Sequence, residues 1–266
     1  MSELLVVEDL TVTFPTTRGL VDVVKGVSFT VGQDETVGIV GESGSGKSMT
    51  SLAVMGLLPK GARTSGSIRL DGMELLGRSD RELRRLHGER MSMIFQDPLS
   101  SLNPYYTVGL QIEEMYRAHR GGSRGAARAV AIDALDQVGL PDAERRVDYY
   151  PHQFSGGQRQ RIMIAMALVC SPELLIADEP TTALDVTVQA QILKLLARLR
   201  EEAGMGMVFI THDLAVISSI ATRVLVMRQG EQVEYGTAEQ VFAEPAHDYT
   251  RMLLESIPRI DDEVKA

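Results

Sequence analysis

The sequence predicts an α/β fold, a largely parallel sheet covered on both sides by helices and interrupted by a helical insert. Three observations carry the prediction. Short apolar strands alternate with longer helical stretches through most of the chain, the pattern of parallel strands joined by crossover helices. Strand Val37–Val40 runs directly into Gly41-Glu42-Ser43-Gly44-Ser45-Gly46-Lys47-Ser48, then into a helical stretch Met49–Leu58 that stops before Pro59. Between Asp97 and about Tyr150 the strand signal gives way to helices at Val108–His119 and Ala126–Val138, split by the loop Gly121-Gly122-Ser123.

The elements follow in order. Leu4–Val7, Thr11–Phe14 and Val27–Val31 are short β-branched strands separated by Gly, Asp and Pro. Gly66–Asp71 and Met91–Phe95 add two more strands, and the turn residues Asp97, Pro98, Asn103 and Pro104 open the insert. The α/β pattern resumes with helix Gln158–Val169, whose Met163, Ile164, Met166 and Leu168 read as core, and with the apolar strand Leu174–Ala177. Helix Val188–Glu202 places Val188, Ile192, Leu195, Leu196 and Leu199 on one buried face. Strands Met207–Thr211 and Val224–Met227 complete the series, and no internal repeat or low-complexity segment interrupts it.

Composition bounds the function. A chain of 266 residues suits one large domain or a domain with a sizeable insert. Its 27 Lys and Arg against 36 Asp and Glu give a net charge of −9, which argues against a broad nucleic-acid surface. A local anion site stays open, because helix N-termini and backbone N–H groups bind anions whatever the net charge. The lone Cys170 cannot form an internal disulfide. With Glu3, Glu8 and Asp9 in place of a basic leader, it points to the cytoplasm. The longest apolar run, Ile162–Cys170, falls far short of the ~20 residues that cross a bilayer.

Gly41–Ser48 matches G-x-x-x-x-G-K-[ST] between a strand and a helix. Glycines let such a loop turn its N–H groups onto phosphate oxygens, and the helix adds its positive end. Lys47 would reach the β- and γ-phosphates, the Ser48 hydroxyl would ligate Mg²⁺, and Gly41, Glu42, Ser43, Gly44, Ser45, Gly46 and Met49 complete the phosphate site. Leu174–Ala177 delivers Asp178 and Glu179 at a strand's C-terminal end, where ligands sit in open α/β sheets. Asp178 is placed to hold Mg²⁺ through water and Glu179 to act as general base; the bland alternative is a solvated strand end before Pro180. The two motifs together specify a nucleotide-binding ATPase or GTPase.

Phe154-Ser155-Gly156-Gly157-Gln158 opens a helix, and no internal packing requirement evident in the sequence asks for Ser-Gly-Gly-Gln there. At these residues the chain resembles the ATP-binding cassette (ABC) family, whose signature is LSGGQ, with Phe154 in place of the leading Leu. The resemblance spans essentially the whole chain. It implies a core at 1–96, a helical insert with the signature at 97–155, the rest of the core at 156–235 and a C-terminal extension at 236–266, with an antiparallel β subdomain at the N-terminus. Gln96 looks like the Q-loop glutamine, which touches the metal and supports catalysis, Ala183-Leu184-Asp185 like the D-loop, and His212 like the switch histidine. Phe14 sits where the family stacks an aromatic on adenine, although a packed strand residue is the simple alternative. The run Arg117, His119, Arg120, Arg124 and Arg128 reads as a solvated surface.

In the family two cassettes pair head to tail, so Ser155, Gly156, Gly157 and Gln158 would serve the partner's ATP. Gln96–Pro104, Tyr150–Arg161, Ala177–Thr187 and His247–Arg251 are similar to the ATPases of bacterial dipeptide, oligopeptide and nickel importers, and to their D-type subunit. Many D-type subunits carry a Pro-rich tail with clustered cysteines, and with Cys170 alone no such cluster is expected here. The resemblance implies ATP and Mg²⁺, a second ATPase (identical, or a paralogous F-type chain), two transmembrane permeases, an extracytoplasmic solute-binding protein, no nucleic acid, and a place on the cytoplasmic face of the bacterial membrane. A peptide-like solute is expected, with nickel or another small solute as the alternative. Pro104, Tyr105 and Tyr106 suit either a docking groove for a permease helix or a local packed cluster. An exporter cassette, a DNA- or ribosome-directed ABC ATPase and a GTPase switch protein each fit fewer of the motifs.

Overall fold

The computed structural model describes residues 3–17, 19–96, 101–182 and 184–255, arranged as two compact units. The importer-like stretch at 97–100, Ala183 of the D-loop segment and the tail beyond 255 lie outside the described residues.

The first unit combines residues 1–76 with 208–266. Its strands are β1 (Glu3–Thr16), β2 (Gly19–Gly32), β3 (Thr36–Val40), β4 (Arg63–Leu70), β5 (Met73–Glu74), β8 (Gly206–Ile210, entering from the second unit), β9 (Arg223–Arg228) and β10 (Glu231–Thr237). They lie in the order β5-β4-β1-β2-β10-β9-β3-β8. β1 pairs antiparallel with β2 and β4, whereas β3 pairs parallel with β9. The sheet is therefore mixed, with its antiparallel part at the N-terminus. The two short strands expected before Phe14 are one strand, in which a left-handed Asp9 (φ 50°) and a register shift between Val7 and Leu10 mark a bulge. The bulge breaks the alternation on which strand boundaries are read.

Helix α1 (Lys47–Met55) begins two residues earlier than its apolar pattern and ends where Gly56, at φ 66°, turns left-handed. Buried β-branched residues of β3 and the apolar face of α1, with Ala53, Val54 and Met55, fix the loop between them. The unit closes with α8 (Leu214–Ile220), α9 (Ala238–Ala243) and α10 (Asp248–Glu255), short helices too brief for a periodicity signal.

The second unit runs from Gly77 to Met207. It contains α2 (Asp80–Leu86), β6 (Met91–Ile94), α3 (Val108–Arg120), α4 (Arg124–Gln137), α5 (Ala143–Arg146), α6 (Gly156–Leu168), β7 (Leu174–Asp178) and α7 (Val186–Ala203). β6 and β7 pair parallel in register, Met91 opposite Leu174. Side-chain caps start the helices: Thr107 on α3, Ser123 on α4, Ser155 on α6 and Asp185 on α7. The buried stripe Ile192, Leu195, Leu196 and Leu199 of α7 is the one its spacing predicts, while Val188 is only half-buried. Among the described residues no helix is long and apolar enough to cross a membrane.

Candidate functional site

The loop Gly41–Ser48 is folded for anion binding. Gly41, Gly44 and Gly46 all have positive φ, and Gly46, at φ 100°, is the N-cap of α1 without any side-chain cap. No Ser or Asp oxygen therefore caps the first turn of this nine-residue helix, and a helix N-terminus of this kind favours an anion. A Cβ on Gly41 would stand 2.1 Å from the Met227 carbonyl oxygen, and one on Gly46 2.7 Å from that of Val23, so neighbouring strands press the loop into shape. Lys47 is buried at 5% exposure, and its Nζ donates to the carbonyls of Gly41 (2.7 Å) and Glu42 (2.9 Å). The Ser45 N–H donates to Glu42 O at 3.1 Å, and Gly230, in the β9–β10 turn, donates to Ser45 O at 3.0 Å. The Ser45 hydroxyl is buried without a partner, a polar atom that a phosphate oxygen would satisfy. Ser48 and Met49 lie in the first turn of α1, both half-buried.

Asp178 ends β7 within the second unit, and Glu179 follows it directly. Asp178 is buried, and Glu179 is held in a left-handed conformation (φ 47°) that costs a non-glycine residue about 1 kcal/mol. One Glu179 carboxylate oxygen accepts from Gln96 Nε2 at 2.9 Å and from Thr182 Oγ1 at 2.9 Å. The structure therefore joins Gln96, at the end of β6, to the carboxylate expected to act as base. Thr182 was not among the residues singled out from sequence; its place three residues after the carboxylate, at the turn closed by Thr182 N–H on Glu179 O (3.2 Å), is the signal that could have found it. A strained carboxylate fixed by two donors can accept a proton from a positioned water without first reorienting.

The signature segment has an internal role that its sequence did not disclose. Ser155 and Gln158 form a reciprocal capping box: Gln158 N–H donates to Ser155 Oγ (3.3 Å), and Ser155 N–H donates to Gln158 Oε1 (3.1 Å). The two polar residues thus have a local structural reason, contrary to expectation. Gly157 has one too, since a Cβ there would lie 2.6 Å from Val188 Cγ1. Among the described residues nothing requires Gly156: a Cβ there would meet nothing nearer than Leu184 Cδ2 at 3.9 Å. Phe154 is buried against the Tyr149 ring (centroids 6.1 Å apart) and serves the core. Gly157→Ala is expected to destabilise the chain by about 1–3 kcal/mol through overpacking against Val188, whereas Gly156→Ala leaves the melting temperature unchanged. Thermal melts of the two variants check the contrast.

The remaining candidates are placed singly. Phe14 is half-buried on β1, opposite Val21 on β2. His212 is exposed after β8, and its neighbour Asp213 caps α8 through the N–H groups of Ala215 (2.9 Å) and Val216 (3.3 Å). Asp185 is exposed and caps α7 through Val188 N–H at 2.9 Å. The basic run is partly engaged: Arg128 bridges Asp148 at 2.6 Å and Glu113 at 3.6 Å, and Arg120 donates to the Cys170 carbonyl at 2.7 Å. Tyr105 is 85% exposed, so it packs in no local cluster. Met163 and Ile164 are core, but Met166 is half-buried and, with Met93, Phe95, Met115 and Met163, lines a groove of about 400 Å³ in the second unit.

A match to the family described as "ABC transporter" covers residues 24–182, and one to "Oligopeptide/dipeptide transporter, C-terminal region" covers residues 233–265. The chain is 53% identical over 260 residues to the oligopeptide transport ATP-binding protein OppD of Salmonella typhimurium, covering 98% of this chain and 78% of that one. It is 51% identical over 261 residues to the OppD protein of Haemophilus influenzae, covering 98% and 81%. Among solved structures it resembles the ATP-binding cassette MJ0796, a dimer in a post-hydrolysis state bound to ADP and Pi, with TM-score 0.77 at 30% identity over 88% of this chain and 98% of that one. It also resembles cbiO1 from Clostridium perfringens, part of the transporter complex cbiONQ, with TM-score 0.79 at 28% identity over the whole of both chains.

Proposed function

The chain belongs to the ABC transporter family, as an ATPase subunit of the oligopeptide-importer kind, and from that premise we propose how its residues divide the work. Gly41–Ser48, with Met49 at its end, holds the nucleotide's phosphates: the amides at the start of α1 accept their negative charge, and the Lys47 ammonium moves from loop carbonyls onto the β- and γ-phosphate oxygens. Phe14 stacks on the adenine. Glu179 takes the proton of the attacking water while Gln96 and Thr182 hold its carboxylate, and His212 stabilises the γ-phosphate charge as it develops. The single observation that carries this reading is the Glu179 carboxylate fixed by two donors at the end of β7.

The donor chemistry fits Mg²⁺, a hard cation held by few protein oxygens together with substrate phosphates. Ser48 supplies a hydroxyl, Asp178 a buried carboxylate that acts through water, and Gln96 an amide oxygen. When bound, the ion neutralises charge on the β- and γ-phosphates.

A second cassette, a paralogous F-type chain, completes each site. Gly156 supports this arrangement, because nothing among the described residues needs a glycine there, yet a phosphate approaching the α6 amides closely would. Ser155, Gly157 and Gln158 shape the same helix start, and Asp185 faces the partner beside it. The other partners are two permeases and an extracytoplasmic binding protein that selects the peptide, and the chain sits peripherally on the cytoplasmic face of the membrane.

The methionine-lined groove, with Phe95 42% exposed at its edge, suits a short amphipathic helix of a permease, since flexible thioethers adapt to an apolar partner. That groove, rather than Tyr105 and Tyr106, carries the docking proposal. Met166→Glu is expected to abolish ATP-driven peptide uptake in the assembled transporter while intrinsic ATPase of the isolated cassettes stays within about twofold. Uptake at the wild-type rate would place the permease contact elsewhere. Peptide uptake into vesicles, dependent on ATP and on an intact Glu179, tests the whole reading.

A further inference from the structure

The C-terminal segment His247–Arg251 has no part in the chemistry above, yet it reaches the phosphate loop directly. Tyr249, on α10, is 2% exposed, and its hydroxyl oxygen accepts the Glu42 N–H at 3.2 Å. The Glu42 carbonyl in turn accepts both the Ser45 N–H (3.1 Å) and the Lys47 ammonium (2.9 Å). One residue of the loop is thus anchored to Tyr249 on its amide side and orients the phosphate-binding lysine on its carbonyl side.

The anchor is itself fixed. The Arg228 guanidinium lies 4.8 Å from the Tyr249 ring centroid, at the end of β9 and beside the turn whose Gly230 braces Ser45. The Glu234 carboxylate accepts the N–H groups of Ala246 (2.8 Å) and His247 (3.1 Å) ahead of α10. His247 Nδ1 accepts the Tyr249 N–H at 3.0 Å, and Arg251 donates to Pro245 O at 2.6 Å. Burial pushes the Tyr249 hydroxyl above its ordinary range, so it stays neutral and able to accept.

We propose that Tyr249 is a positioning residue for ATP binding, its hydroxyl holding the Glu42 peptide so that the loop and Lys47 are set before the nucleotide arrives. The proposal rests on the reading of Gly41–Ser48 as the phosphate site. It gives the C-terminal region matched to oligopeptide and dipeptide transporters a role in this chain's own nucleotide site. Holding the loop in one form before the nucleotide arrives removes an ordering cost from ATP binding, so the effect falls on affinity rather than on the chemical step.

The test is the full chain assembled with its partner ATPase and permeases, with ATP as the probe. Tyr249→Phe keeps the ring and its cation–π contact but loses the acceptor. It is expected to raise the KM for ATP roughly 3- to 10-fold, with kcat within about twofold and the melting temperature unchanged. Met252→Ala, at an exposed position of the same helix, leaves KM unchanged. Glu234→Ala loosens the base of α10 without touching the loop and raises KM in the same direction by a smaller factor. A wild-type KM in Tyr249→Phe overturns the proposal, as does a fall in kcat and melting temperature without a KM shift. If Tyr249→Phe fails to fold, a wild-type KM in Glu234→Ala overturns it instead. Lys47→Ala separates the two levels: unchanged ATP binding there removes the phosphate-site reading itself, whereas weakened binding beside a normal Tyr249→Phe removes only the tyrosine's role.

Discussion

Glu179→Gln is expected to bind ATP as tightly as the wild type and to stop turning it over. The amide keeps the shape of the side chain and an oxygen that can still accept from Gln96 Nε2 and Thr182 Oγ1, so the left-handed turn at Glu179 survives. What is lost is the ability to take a proton, and removing a positioned general base costs about 10²- to 10⁴-fold in rate. On the proposed arrangement, in which the γ-phosphate charge draws two cassettes together, a variant that cannot remove it accumulates in the closed dimer. Phosphate release at saturating ATP measures the loss, and size-exclusion chromatography of the ATP-loaded cassettes measures the closure. Turnover within about tenfold of wild type would exclude Glu179 as the base and move attention to His212. Thr182→Ala gives a graded version: it removes one of the two donors to the same oxygen, and kcat is expected to fall by less, without loss of ATP affinity.

Much of this architecture was legible because single residues have local consequences. Gly41–Ser48 announces its own loop, and the all-apolar strand ending in Asp178-Glu179 can hardly be anything but a buried strand meeting a site. Gln96 is legible only by its order along a family pattern, and its contact with Glu179 gives its place after the adjacent parallel strand a physical reason. The losses have equally specific causes. The bulge at Asp9 hid the continuity of β1, and the exposed residues of β2 from Gly19 to Asp22 lack an apolar alternation. Tyr249 meets Glu42 through a single hydrogen bond that only folding brings about, so no spacing reports it, whereas Thr182 is signalled only by its place three residues after Glu179. The capping box at Ser155 and Gln158 has the form S-x-x-Q before a helix, but the same four residues also make up the signature pattern, so their spacing alone does not disclose the local role.

Lys47→Ala is expected to lose ATP binding itself, with the dissociation constant rising at least about 100-fold, and the reason lies in two roles played by one ammonium. In the proposed site Lys47 would place a full positive charge beside the β- and γ-phosphates, and a hydrogen bond to a charged group contributes about 1.5–3 kcal/mol. Without nucleotide, the same Nζ lies buried and closes the loop from inside through Gly41 O and Glu42 O. Alanine therefore removes both the attraction and the template that shapes the loop to receive it. Alanine is a good helix former at the first position of α1, so the helix and its packing through Ala53, Val54 and Met55 should persist and the melting temperature should change little. Lys47→Arg separates charge from shape: the guanidinium keeps the charge, but its planar fork cannot occupy the small space between the Gly41 and Glu42 carbonyls, so affinity should remain low. Titration of a fluorescent ATP analogue into each variant measures the dissociation constants. Binding within about threefold of wild type in Lys47→Ala would mean that the amides of α1 alone hold the phosphates, and that the buried lysine serves only to close the loop.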